Sequence, residues 1–261
     1  MPDWTPNILR PGATNGEKSE ESEESEVPDE RDAARAVKVK RMIYSAPRAK
    51  ANCALPAVDE RRWSSKKRYL DKVASCLDKI WAREFREVDL PFTPPHRKYV
   101  RKRVKHPVCG LMPVKGAAGT YCDSIETYFI IDDPSFPSRP WKAWAADVSG
   151  HEYGHHLQYL TKILAKQTAL LNAATTKKAE YLVSRRLELQ ADCLSGVALR
   201  AMRRRLPPTD EFAYLYSGTL AKKWSRTHGL QKTRYRWMQR GYKSGKPGSC
   251  DTWSSRASKV T

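Results

Sequence analysis

The chain has no run of about 18 or more apolar residues, so no segment reads as a membrane-spanning helix. Its first residues, Met1-Pro2-Asp3-Trp4, lack the basic stretch and following apolar stretch of a secretory signal, and the start is not read as one. None of the six cysteines sits in a C-x-x-C pair, which argues against a structural zinc knuckle. There is no internal repeat, and no motif of a nucleic-acid-binding module. Acidic residues are scarce beyond position 32. The first 32 residues hold ten acids and three bases, and the remainder carries +26 against a total of +19.

A body this basic could attract nucleic acid, an anionic cell-wall polymer or an anionic membrane surface. The lysines and arginines are scattered along the chain, however, and solvation of a basic surface accounts for them. Cys53, Cys76, Cys109, Cys122, Cys193 and Cys250 are even in number and widely spaced. Three disulfides fit them better than six buried thiols, with about 15 connectivities open on spacing alone. That reading implies an oxidising compartment.

With 261 residues the chain can bury a sizeable core. Residues 1–35, with the acidic, serine-rich run Glu17–Asp32, have almost nothing to bury and read as a disordered tail. Residues 36–261 read as one domain. Tyr69, Leu70, Val73, Leu77, Ile80, Trp81 and Phe85 recur at helical spacing and predict a helix over 64–86, capped by Ser64 or Ser65. The glycine-rich stretch 109–122 reads as a loop, and Glu126–Asp132 as a strand. Further helices are expected at 141–165, 176–203, 210–223 and 231–240, the last capped by Gly241. The outline is an α+β fold, mostly helical, with a small sheet preceding the central helix.

The chemistry sits in His151-Glu152-Tyr153-Gly154-His155. In a helix, positions i and i+4 share a face, so both imidazoles can reach one ion at about 2.0–2.1 Å. Glu152, turned about 100° from His151, lies beside that ion and can take a proton from a bound water. A catalytic zinc needs a third protein ligand. The extended pattern H-E-x-x-H-x-x-G-x-x-H fails, because Gln158 and Thr161 occupy the required glycine and histidine positions. Glu188 on the following helix can serve instead. Asp192, one turn later, can accept the second ring N–H of a ligand histidine. Leu187, Ala191, Leu194 and Ala198 surround this pair and favour its burial. Gly150 and Gly154 would let another element pack closely on the ligand helix, and His156 points away from the ion.

HEYGHHLQ at 151–158 and RRLELQADCLSG at 185–196 resemble the bacterial neutral zinc metallopeptidase family, and more widely the glutamate-liganded zincins (gluzincins). The segments NCALP, SCLDKIW, CG with GTYC, and RGYKSGKPGSCDTW carry the likeness across roughly residues 40–253. The resemblance implies a zincin-like fold, a Zn2+ cofactor and the pairs Cys53–Cys76, Cys109–Cys122 and Cys193–Cys250. It implies a peptide or protein substrate, and that the early strand runs along the cleft edge and pairs with it. With the disulfide reading, the expected location is secreted or cell-envelope associated.

The expected reaction is metal-assisted peptide hydrolysis, with Glu152 as general base and His228 as the donor to the oxyanion, Tyr216 and Tyr235 standing behind it. Two other readings compete: a zincin-like module that binds the wall or a protein without cleaving, and a nucleic-acid binder using the basic body.

Overall fold

A computed structural model describes residues 43–134, 139–218 and 222–261, apart from the side chains of Lys222 and Lys223. The acidic tail expected at 1–35 lies outside the described residues. Helix α1 (Trp63–Arg86) buries the whole expected stripe from Tyr69 to Phe85. Its N-cap is Arg62, without a side-chain cap. Ser65 faces inward instead, and its hydroxyl accepts from the Asp59 N–H at 2.9 Å.

The sheet is larger than the sequence suggested. Strands β1 (His96–Val100), β4 (Gly119–Cys122) and β5 (Thr127–Ile131) form one sheet in the order β1-β5-β4, parallel between β1 and β5 and antiparallel between β5 and β4. A separate hairpin joins β2 (Val104–His106) to β3 (Gly110–Met112). The stretch read as a loop between Cys109 and Cys122 therefore contains β3 and β4. Period-2 alternation is absent there because β4 is buried at all four positions. The early strand, β5, is the central one and is buried on both faces. It is paired on both sides and is therefore not the edge strand expected; the end strands are β1 and β4.

Helix α2 (Trp141–Leu160) carries the H-E-x-x-H pattern and is buried nearly all round, as a helix between two layers must be. It ends five residues earlier than expected: Lys162 takes a left-handed conformation (φ 58°), and α3 (Ile163–Asn172) starts anew. Helix α4 (Lys177–Met202), capped by Thr176, crosses α2 closely. A Cβ on Gly154 would lie 3.0 Å from the Ala191 Cα, and one on Gly150 2.4 Å from Ser195 Oγ. The two glycines thus set the separation of the helices that carry the site.

The helix expected at 210–223 is split into α5 (Thr209–Leu215) and α6 (Lys222–His228). Helix α7 (Gln231–Ser244) passes through Gly241 and is capped by Gly245 at φ 63°. Gly241 is needed for contact, not capping: a Cβ there would sit 1.9 Å from the Cys193 carbonyl oxygen on α4. All three implied disulfides are formed, and no described cysteine is free. One large core joins α1, α2, α4, α7 and the sheet, and a smaller one lies under the β2–β3 hairpin.

Candidate metal centre

Helix α2 presents His151 and His155 one turn apart, and their Nε2 atoms lie 3.2 Å from each other. From α4, Glu188 Oε2 reaches to 3.3 Å from His151 Nε2 and 3.6 Å from His155 Nε2. All three residues are buried. A zinc ion with bonds of about 2.0–2.1 Å and tetrahedral angles separates its ligand atoms by about 3.3–3.5 Å. The spacing of the three donors is that of one face of such a tetrahedron.

The tautomers agree. Asp192 Oδ1 accepts from His151 Nδ1 at 2.8 Å, and Gln158 Oε1 accepts from His155 Nδ1 at 2.9 Å. The Gln158 orientation is independently set, because its amide nitrogen donates to the Leu187 carbonyl and to Gln190 Oε1. With the proton of each neutral ring committed at Nδ1, both Nε2 atoms present bare lone pairs to the same point. Glu188 Oε2 stands 3.2–3.6 Å from the Nε2 atoms of His228, His151 and His155. Two lone pairs and a carboxylate oxygen converging in a dry interior repel one another unless a cation lies among them. The donor set of two imidazoles and one carboxylate suits zinc.

The buried groups of the site also shift one another's protonation. Burial alone would lower the His151 ring, but hydrogen bonds to Asp192 and Glu188 outweigh it and push the ring up to about 10. Burial would raise the Glu188 carboxyl, yet the imidazoles of His228, His155 and His151 hold it well below its ordinary value. Burial pushes Glu152 up to about 7.

Glu152 leaves the ligand face of α2 and turns toward β4. The backbone N–H of Tyr121 donates to its carboxylate, while Oε1 has no hydrogen-bond partner. A Cβ on Gly119 would come within 2.5 Å of that oxygen, so only glycine leaves room for it. The neighbouring His156 turns into the helix–sheet interface, as expected. It accepts from the Tyr121 hydroxyl and donates to the Thr93 carbonyl.

His228, at the end of α6, is fully buried, with Nε2 3.2 Å from Glu188 Oε2 and Nδ1 2.8 Å from Thr227 Oγ1. The other expected oxyanion donors lie elsewhere. The Tyr216 hydroxyl donates to Asp147, one turn before His151, and Tyr235 packs on the Tyr216 ring at 5.5 Å. Arg234 on α7 was not anticipated. Its guanidinium binds both oxygens of Asp192, at 2.9 and 2.8 Å. Nothing in its local sequence, TRYRW, marks it. Gln158 was visible only as the residue that breaks the extended motif.

A family model described as "Putative neutral zinc metallopeptidase" matches residues 37–212, ending before His228 and Arg234. The chain is similar to "Uncharacterized protein YpfJ" of Escherichia coli K12, 26% identical over 208 residues, 71% of each chain. It is also similar to "Uncharacterized protein Rv2575" of Mycobacterium tuberculosis, 30% identical over 135 residues, which cover 41% of this chain and 43% of the relative. No solved structure matches significantly.

Proposed function

The chain belongs to the neutral zinc metallopeptidase family that matches two thirds of its length, and from that premise we propose that it hydrolyses peptide bonds at a zinc ion held by His151, His155 and Glu188. When bound, zinc supplies a Lewis acid that acidifies water and polarises a carbonyl. Glu152 takes the proton of the attacking water at Oε1, the oxygen left without a partner, and delivers it to the leaving amine. Its raised pKa suits a base that must both accept and release a proton near neutrality. Asp192 and Gln158 hold the two imidazoles in the tautomer that leaves Nε2 bare. His228, beside Glu188, donates to the oxyanion.

The substrate backbone pairs with β4, the end strand of the sheet that touches Glu152. Residues 36–261 form the catalytic domain. Three disulfides support work in an oxidising compartment, secreted or in the cell envelope.

The convergence of three donor atoms within 3.2–3.6 Å beside Glu152 carries the reading. Metal analysis with a peptide-cleavage assay on wild type and Glu152→Gln tests it. One zinc per chain is expected in both, with turnover reduced by about 10²–10⁴-fold in the variant. Wild type without metal would overturn the ligand assignment. Metal-bound, inert wild type would favour a zincin-like module that binds without cleaving.

A further inference from the structure

Residues 90–122 contain seven lysines and arginines and no acidic residue. The structure sorts these cations. Arg97 is paired with Asp78 at 2.9 Å, and the Arg103 guanidinium is folded back onto the carbonyls of Pro113, Val114 and Ala117. Lys98, on β1, and Arg101, Lys102, Lys105 and Lys115 are exposed, and none of the five forms an ion pair among the described residues.

The β2–β3 hairpin in their midst has two unlike faces. Val104 and Met112 are cross-strand partners on the inner face, against the small core of Cys109, Val114, Ala117, Cys122 and Phe129. Lys105 and Leu111 are the next pair and share the outer face. At the turn Val108 is 53% exposed, and Leu111 is 44% exposed. Single exposed apolar residues are ordinary. These two stand on one short hairpin whose turn cannot relax to cover them. His106 Nδ1 accepts from the N–H groups of Val108 and Cys109, Gly110 holds φ at 71°, and the Cys109–Cys122 disulfide ties the turn to β4. At the other end of the hairpin, Trp63, Tyr99, Val100, Val104 and Pro134 line a pocket of about 510 Å³, with Arg101 and Lys102 among its walls.

A polyanion such as nucleic acid would satisfy the cations but offers nothing to Val108 and Leu111. An anionic bilayer offers both a negative headgroup layer and an apolar boundary beneath it. We propose that the β2–β3 hairpin docks the protein on an anionic phospholipid surface. Val108 and Leu111 enter the acyl boundary, and Arg101, Lys102, Lys105 and Lys115 meet the headgroups. Because the disulfide joins the hairpin to β4, and β4 touches Glu152, docking also sets the height of the metal centre above the surface. The inference does not depend on peptide hydrolysis, and its test reads binding alone.

The full chain is sedimented with vesicles of phosphatidylcholine alone and of phosphatidylcholine with about 30% phosphatidylglycerol, near physiological salt. Binding is expected to the anionic vesicles only. Val108→Ser/Leu111→Ser and Lys102→Glu/Lys105→Glu are each expected to weaken it by about tenfold or more. All four side chains are exposed, so both variants should keep the wild-type circular dichroism. Absence of vesicle binding, equal binding to neutral vesicles, or undiminished binding by the serine variant would each overturn the proposal. So would duplex DNA binding that the serine variant weakens equally.

Discussion

His151 and His155 stand one turn apart on one helix and reach one point, yet the protein orients them by opposite means. Behind His151 the chain of contacts is charged. Asp192 accepts the ring N–H, Arg234 binds both Asp192 oxygens, and Tyr216 lies under the guanidinium at 5.5 Å while donating to Asp147. Behind His155 it is neutral. Gln158 accepts the ring N–H and donates to Gln190, whose amide nitrogen donates to the Tyr44 hydroxyl and to the Cys250 carbonyl. The Trp253 indole also donates to Gln190. A carboxylate strengthens its imidazole as a ligand but must be compensated when buried. An amide chain fixes the tautomer at less electrostatic cost and gives less basicity. The comparison predicts a division of labour, in which the charged side sets metal affinity and the amide side sets geometry.

The contrast breaks most severely at Asp192. Asp192→Asn should weaken zinc binding by about 10–100-fold, read by chelator competition. It should also cost about 3–5 kcal/mol of stability by stranding Arg234, read by urea unfolding of the metal-free protein. Asp192→Asn combined with Arg234→Met should recover much of that stability without recovering the affinity. On the amide side, Gln158→Met should cost about 1–3 kcal/mol, from the partners left unsatisfied. Zinc affinity should then fall by less than about tenfold. An affinity loss equal to that of Asp192→Asn would refute the division of labour.

The smallest effect concerns pH and sharpens the charged side alone. Burial raises Asp147 from 3.8 to about 6, so the folded state holds its proton more tightly. Its contribution is therefore greatest below about pH 4 and declines as pH rises toward 6. Asp192 is the reverse. Burial would raise it, but Arg234 and His151 bring it down to about 2, and its contribution is present above about pH 3.8 and lost as pH falls toward 2. In metal-free protein, Asp147→Asn should make the decline between pH 4 and 6 shallower, leaving the share that the raised carboxyls of Glu152 and Glu84 contribute, and should leave the acid limb unchanged. An undiminished wild-type slope in the variant, measured by unfolding across pH, would show that Asp147 does not contribute to it.

The legible parts are those whose physics is local. The stripe from Tyr69 to Phe85 specified α1, and i,i+4 spacing specified that His151 and His155 share a face. Glu188 and Asp192 were readable as acids on an apolar helix face, where burial demands partners. The sheet was less readable. A fully buried strand has no alternation, so β4 passed for a loop, and β5 gave no sign that both its edges would be taken. The end of α2 at Leu160 was also hidden, since its sequence stays compatible with helix to 165.

The sequence alone determined the helix that aligns His151 with His155, the two acids that follow it and the supply of six cysteines, because those follow from backbone geometry and composition. Only the tertiary structure decided which groups stand behind them. Arg234 meets Asp192 across 42 residues, Gln190 meets Tyr44 across 146, and Gly119 makes room for Glu152 from another layer. Such contacts arise from helices crossing on glycine and from which strand is left at the end of the sheet. No periodicity within a single segment encodes them.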